Sequence, residues 1–571
     1  MKILGISDSK TESGICFYKD GKLEFALNEE RVTRKKIDGS FPYRSLETFY
    51  NLYADELNSI DYIAVGGIYT PTPVSRFFSF LVDVDKSSTS SGNTGSAKLF
   101  RYIEYLVTYR FKLLASVRYK KRKNRLMISM LKRTLRKKLH PSLRAKHMYL
   151  VDHHQCHAAA AFFSSGFKES LVASFDGFGD GASAKIYVAK DDDIRQVMSI
   201  PALDSFGLYY SLITEVLGFT PEKHEGKVTG LAAFGDHRKI RERFPFTLSL
   251  RKRPRYEGRG GIVGLKDVRR QFLHYDKKDV AAWLQHNTEK MVCDIVSHHM
   301  RKHKQKNLCL VGGLTANVKL NQRLHELKET KNIYIYPAMS DMGISHGAVL
   351  ALERFPEVME HAYYGTSYSE AQIESVLRRE GLRFKRYKDI EKKIARLLSE
   401  GKIVARFNGR MEYGPRALGN RSILVQATDK SINDSLNRKL KRTEFMPFAP
   451  TILDGHERKC LKGIDGAELT SRFMNISFPV KPFMRKNCPA AVHVDDTARP
   501  QVIRKEDNLS YYRVLDEYRK ITGLPAILNT SFNVHEEPIV MTPEDAIKGF
   551  MKASLDYLAI GDFLVEGHHD T

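Results

Sequence analysis

Short apolar runs, rich in β-branched and aromatic residues, recur along this chain between longer stretches whose apolar positions return every three or four residues. KILGIS, GICFY, KLEFAL, YIAVGG, LVASFD, AKIYVA and LCLVGG each have the length of one strand. Ala281 to Lys302 carries the helical period between them. The alternation predicts an α/β chain. A second block of the same kind begins after Glu360, with a helix from Ser369 to Glu380, strands IVARF and PAILNT, and a helix from Pro543 to Lys552. The boundary is placed near residues 355 to 365, giving domains 1–358 and 359–571. No internal repeat of fixed period is evident. A chain of 571 residues exceeds what one core supports, so two or three domains are expected.

Composition changes this picture in one respect. Hydrophobic residues at 42% and charged residues at 28% are ordinary for a globular chain. The longest apolar stretches fall short of the roughly 20 residues that span a bilayer. The start reads as a strand and turn rather than a signal peptide, so a cytoplasmic protein is expected. Six cysteines (Cys16, Cys156, Cys293, Cys309, Cys460, Cys488) form no CxxC pair, which argues against a disulfide framework or a cysteine zinc site. The net charge of +25 raises the question of nucleic acid or phosphate-bearing partners. Its excess is concentrated from Arg118 to Lys146, inside an insertion of about 85–147 that opens on the low-complexity run Asp85 to Ser96. Met127, Leu131 and Leu135, four apart, with Met130 and Leu139 alongside, predict an amphipathic helix there. One face should pack; the other is a solvated basic rim or a peripheral contact with an anionic surface.

Three constellations carry chemistry. In VDHHQCHAAAAFF, Asp152 is an N-cap, and His153 and His157 stand on one helix face. With Asp176 of SFDGFGDG and Asp341 of MSDMGISHG they make two imidazoles and two carboxylates. That set suits iron(II), manganese or zinc, the first two if oxygens complete an octahedron. Glycine-rich turns form the second set: GISDSKTESG, HEGKVTGLAAFGD, and LVGGLTAN with Gly312, Gly313 and Asn317. Their backbone amides can approach an anion closely, yet neither the P-loop nor the dinucleotide fingerprint is present. The third is RFNGRMEYGPRALGNRSIL followed by NRKLKRTEFMPFAP and LNTSFNVHEEPIV. Arg410, Arg416, Arg421, Lys441 and Arg442 crowd into it, and guanidinium forks suit phosphate and carbamate oxygens.

With these residues in view the chain resembles the NodU/CmcH family of O-carbamoyltransferases. The likeness runs through LNEERVTRKK, DHHQCHAAAAF, SFDGFGDG, EGKVTGLAAFG, GGLTANVKLN, GRMEYGPRALGNRSIL, MPFAP and NTSFN, almost the whole length. The resemblance implies an N-terminal domain of the actin-like ATPase fold, similar to TsaD, followed by a YrdC-like α/β domain. It implies that the second domain makes carbamoyladenylate from ATP and carbamoyl phosphate, with magnesium accompanying ATP, and that the first passes the carbamoyl group to an acceptor beside an iron ion.

Carried over motif by motif, His153, His157, Asp176 and Asp341 fall on the metal ligands and Lys36 on a residue contacting the adenylate. Arg416, Arg421, Lys441, Arg442, Arg499, Asn529, Ser531, Gly312, Gly313 and Asn317 fall on substrate-binding motifs. Thr11 stands where many relatives carry a histidine acting as general base. Threonine cannot take a proton from an alcohol at neutral pH, so Glu12, His154 and His224 are the alternatives. The expected acceptor is a sugar, glycoside or other small molecule rather than nucleic acid, with a homodimer as one option for assembly. A tRNA threonylcarbamoyl-type enzyme is the alternative, since it too would use the basic charge. The basic insertion is expected to be dispensable for adenylate formation.

Overall fold

The computed structural model describes residues 1–9, 11–70, 122–249, 253–257 and 265–567. The Ser/Gly run and the insertion up to residue 121 lie outside the described residues. Three large sheets organise the rest. The first orders Lys22–Asn28, Gly14–Lys19, Lys2–Ser7, Tyr62–Gly66 and His147–Val151. Its first three strands pair antiparallel, and the last two continue parallel from Lys2–Ser7. The second sheet orders Asp193–Pro201, Ala182–Lys190, Glu169–Gly179, Asn307–Val311 and Asn332–Ile335 with the same succession of pairings. The two sheets are therefore copies of one topology. Lys2–Ser7 and Asn307–Val311 are buried along nearly their whole length, which is why they read as unbroken apolar runs.

The helix after each sheet's last strand crosses to the other sheet. His153–Phe163 packs on the second sheet, Ile344–Glu353 packs on the first, and the two helices pack on each other. Gly347 permits that approach, because a Cβ there would lie 2.1 Å from the Cys156 carbonyl oxygen. Both helix N-termini consequently open toward one point between the sheets.

The third sheet draws eight of the ten strands from Phe384 onward, in the order Phe384–Arg386, Phe563–Glu566, Tyr557–Ile560, Val404–Phe407, Arg421–Gln426, Ala526–Ser531, Ala449–Leu453 and Gln501–Ile503, while Phe478–Pro479 and Thr497–Ala498 pair separately. Helices Ile390–Ser399 and Leu509–Thr522 pack together over it, burying Ile394, Leu398, Val514 and Leu515. Expected elements recur with their caps. Ser369 and Gln372 close a capping box on Glu370–Arg379, and Thr542 and Asp545 do so on Pro543–Lys552. The long helix begins at Lys277, four residues before the expected start, because Asp276 accepts from the Lys278 amide. All six cysteines are free.

The basic helix forms at Arg122–Lys137. Leu131 and Leu135 are buried, and Leu135, Leu139 and Leu143 join Leu4, Ile6 and Phe49 in the core of the first sheet. Met130 is instead half-exposed. Burying one such leucine is worth about 1.5–3 kcal/mol, so deleting the segment would open a core rather than trim an ornament. The insertion expected to be dispensable for adenylate formation thus also serves the core, and substitutions of its exposed charges are the cleaner probe of that expectation. Among the described residues no helix is long and apolar enough to cross a membrane.

Candidate functional site

Asp152 accepts from the Gln155 amide at 3.0 Å and starts the helix at His153. The His153 amide donates to Asp180 at 2.8 Å, and Asp180 also accepts from the Ile68 and Tyr69 amides, fixing the helix end against the neighbouring loop. From this frame the rings of His153 and His157 meet Asp176, near the end of Glu169–Gly179, and Asp341, in the turn before Ile344–Glu353. Nε2 of His153 lies 2.9 Å from Asp176 and 3.4 Å from Asp341; Nε2 of His157 lies 3.8 and 3.5 Å from the same carboxylates. One ligand atom from each of the four falls within 4.8 Å of the others. The Gly313 amide, following Gly312 at φ +96°, donates to the far oxygen of Asp176 at 3.0 Å and orients it.

Burial pulls the His153 imidazole down, but Asp341 and Asp176 outweigh it and raise the ring to about 9. The pocket thus demands positive charge. Nε2 of His157 and Oδ1 of Asp341 are buried without any hydrogen-bond partner, so the site is one pair short of satisfaction. Two nitrogens and two carboxylates with open lone pairs fit a borderline divalent cation. Gly179 keeps the geometry, since a Cβ there would stand 2.0 Å from the His153 ring. Gly179→Ala is therefore expected to displace His153 and lower bound metal at least about tenfold, the usual cost of disturbing what orients a ligating ring. Elemental analysis of reconstituted protein reads this, and unchanged metal content would refute the packing argument.

Thr11 donates to Asp341 at 3.4 Å, so the residue in the place of the usual histidine does border this site. Glu12 follows it, and burial, aided by Glu30 and Asp341, pushes its carboxyl up to about 8. The other two base candidates are corrected. His154 is fully buried, with Nδ1 against Ser174 Oγ at 2.8 Å and Nε2 against the Ala182 carbonyl at 3.1 Å. Burial pushes it down to about 3, so it braces the core and faces no acceptor. His224 accepts from the Thr220 amide through Nδ1 and meets Glu536 through Nε2 at 3.0 Å. It joins the two halves of the chain instead.

The arginine cassette divides in two. Arg421 is fully buried over the Phe407 ring at 3.7 Å, and its donors reach the carbonyls of Asn408, Asn420, Thr366 and Gly409. Arg410 likewise donates to the Gly365 and Tyr364 carbonyls. Arg442 holds Thr530, Ser531 and Asn533, so it shapes the loop carrying Ser531. These are scaffold roles, a correction to the expectation of free substrate ligands for Arg421 and Arg442. Lys441 is exposed at φ +54°. Asn317 caps Val318–His325 and pairs with Gln285, and Asn529 donates to Ala417 and Gln501, leaving its own oxygen open.

Arg416 and Arg499 differ from all of these. Arg416 makes one long contact, 3.5 Å to the Ala316 carbonyl; Nε of both arginines is buried and unpartnered, as is that of Arg421, but neither holds a set of carbonyls as Arg421 does. Burial, then the neighbouring charge of Arg499, pushes Arg416 down to about 9, with Glu444 opposing. Arg416 meets Ala316 across the junction between the two halves of the chain, and Lys227 donates to Thr443 across the same junction at 3.0 Å. Lys36 is open to water yet hemmed in by protein, which lowers its ammonium despite Glu30 nearby. Sequence reasoning missed Glu444, Lys227 and Asp180; the lysine inside EGKVTG and the second aspartate of SFDGFGDG were the available signals.

Comparisons with known proteins show the family. Residues 2–350 match the family described as Carbamoyltransferase N-terminus, and residues 395–567 match Carbamoyltransferase C-terminus. The chain belongs to the carbamoyltransferase family, and it is a carbamoyltransferase. Within that family it is of the NodU/CmcH type. Nodulation protein NolNO of Sinorhizobium fredii is 31% identical over 96% of this chain and 78% of its own length. Protein MJ1058 of Methanocaldococcus jannaschii is 32% identical over 99% of both. This family does not favour the tRNA-modifying alternative. Full-length HypF, solved with phosphate and nucleotide bound, overlaps 62% of this chain at 12% identity with a TM-score of 0.31, which carries no argument.

Proposed function

We propose that this carbamoyltransferase is ATP-dependent and acts at two sites, forming carbamoyladenylate in a cleft at the junction of the two halves and passing its carbamoyl group to a hydroxyl of a sugar, glycoside or other small molecule. The observation that carries the reading is the pair Arg416 and Arg499, two cations with open donors near enough that the charge of Arg499 depresses Arg416. Such a pair is costly unless an anion arrives, and ATP and carbamoyl phosphate are anions. Water attack on carbamoyl phosphate gives carbamate and phosphate; a carbamate oxygen attacks the α-phosphorus of ATP and pyrophosphate leaves. The acceptor hydroxyl then attacks the carbamoyl carbon, AMP departs, and the hydroxyl proton passes to Glu12. Lys36, Asn529 and Ser531 line the adenylate path, and magnesium accompanies ATP.

His153, His157, Asp176 and Asp341 would hold iron(II), with manganese or zinc as alternatives, and such an ion would polarise the carbamoyl carbonyl as a Lewis acid. The duplicated sheets support a TsaD-like, actin-like reading of 1–358, and the eight-stranded sheet a YrdC-like reading of 359–571. The test is release of AMP and pyrophosphate from ATP without acceptor. It should require carbamoyl phosphate, and release indifferent to carbamoyl phosphate would overturn the proposal. In the same protein Glu12→Gln should slow product formation about 10²–10⁴-fold, the usual range for a lost general base, while sparing pyrophosphate release.

A further inference from the structure

We propose that helix Arg122–Lys137 and the turn after it form a docking surface for an anionic lipid bilayer. Residues 122–146 contain ten lysines and arginines and no carboxylate, in a chain where 67 of 571 residues are acidic. Leu131 and Leu135 turn inward, so the burial pattern fixes the helix about its axis. Arg125, Ser129, Arg133 and Lys137, four apart, are exposed along the opposite side. Lys132 with Arg136 and Arg133 with Lys137 are like-charge pairs at the spacing that weakens a helix. A face meant only for water is served as well by mixed signs. Among the described residues Arg125, Arg133, Arg136 and Lys137 have no carboxylate partner. Among the described residues nothing supplies their counter-charge, which leaves the stripe open to an external anion.

Three observations favour a bilayer over a polynucleotide. Seven of the ten cations lie on one helix of 16 residues, about 24 Å long, a rod that can meet a plane along its length. Met130, half-exposed, and Tyr149, 44% exposed with the Lys132 ammonium 5.9 Å over its ring, flank the stripe. Apolar and amphipathic side chains beside cations suit the headgroup boundary. In the sequence leading to this helix, residues 99–117 hold Phe100, Tyr102, Tyr105, Tyr109 and Phe111 among basic residues, with Glu104 the single acid. Aromatic residues interleaved with cations are the composition of membrane-surface segments in general.

The full-length protein should sediment with phosphatidylcholine vesicles in which phosphatidylglycerol replaces about a third of the lipid, and not with phosphatidylcholine alone, because each cation near an anionic surface is worth about fivefold in partition. High salt should release it. Arg125→Gln with Arg133→Gln and Lys137→Gln should lower partition about a hundredfold at unchanged thermal unfolding. Equal binding to both vesicle types, or a folded triple variant that binds as the wild type does, would overturn the proposal. So would wild-type protein that ignores vesicles yet retains RNA at the same salt, which would assign the stripe to nucleic acid. Should the triple variant fail to fold, salt release of the wild type from anionic vesicles decides alone.

Discussion

Arg416→Ala is expected to cut carbamoyl phosphate-dependent pyrophosphate release about 10²–10³-fold, roughly 2.7–4 kcal/mol, the size of loss seen when one preorganised charge-stabilising donor is removed. The expectation follows from what this guanidinium does not do. It holds no loop, caps no helix and donates once, at 3.5 Å. Charge accumulates on phosphorus as adenylate forms, and a planar fork with free donors is suited to receive it. In the folded chain burial and Arg499 push Arg416 down to about 9, which means that its charge works against folding. The substitution should therefore leave the melting temperature unchanged or slightly raised. Arg421→Ala should do the reverse, since four carbonyls lose their donors and the cost falls near 3–5 kcal/mol. Calorimetry on both proteins separates the roles. If Arg416→Ala unfolds the chain, or keeps full activation, the anion reading of the cleft fails.

That contrast also marks how far the sequence could be read. Arg416 and Arg421 lie five residues apart in one motif and are the same residue type, so nothing in composition or spacing separates them. What separates them is the company of carbonyls. Arg421 opens a strand beside Asn408 and Gly409, whereas Arg416 projects from a loop against another part of the chain. The strands were legible because their buried cores are unbroken apolar runs, and the helix starts because Ser369, Thr542 and Asp152 announce them. Three of the four candidate metal ligands were legible for a related reason, each sitting at the end of an element beside a capping residue or glycine, while His157 was legible from its four-residue spacing to His153 on one helix. The duplication of the first two sheets was not. It preserves strand order and pairing sense, while the connections differ in length, and no fixed period survives.

His157→Ala should stop carbamoyl transfer while sparing activation. His157 is the better probe of the pair because its Nε2 has no partner to orphan, whereas His153 already meets Asp176 at 2.9 Å. Alanine also extends the run Ala158 to Ala161 that the helix already buries, so helix propensity favours the change. Losing one of four ligands from a site that polarises a carbonyl should lower transfer on the order of 10³-fold, several kcal/mol of transition-state stabilisation. Bound metal should fall in parallel. The arginines of the cleft come from other elements, and no hydrogen bond or ion pair joins them to His157 among the described residues, so pyrophosphate release should stay within about twofold, as additivity of distant sites implies. The measurement is pyrophosphate release without acceptor beside product formation with one, on protein whose unfolding transition is intact. Separate losses for His157→Ala and Arg416→Ala mean two sites linked by a diffusing adenylate. If each variant loses both activities equally, activation and transfer share a single composite site across the cleft, and the division of labour proposed for this chain falls.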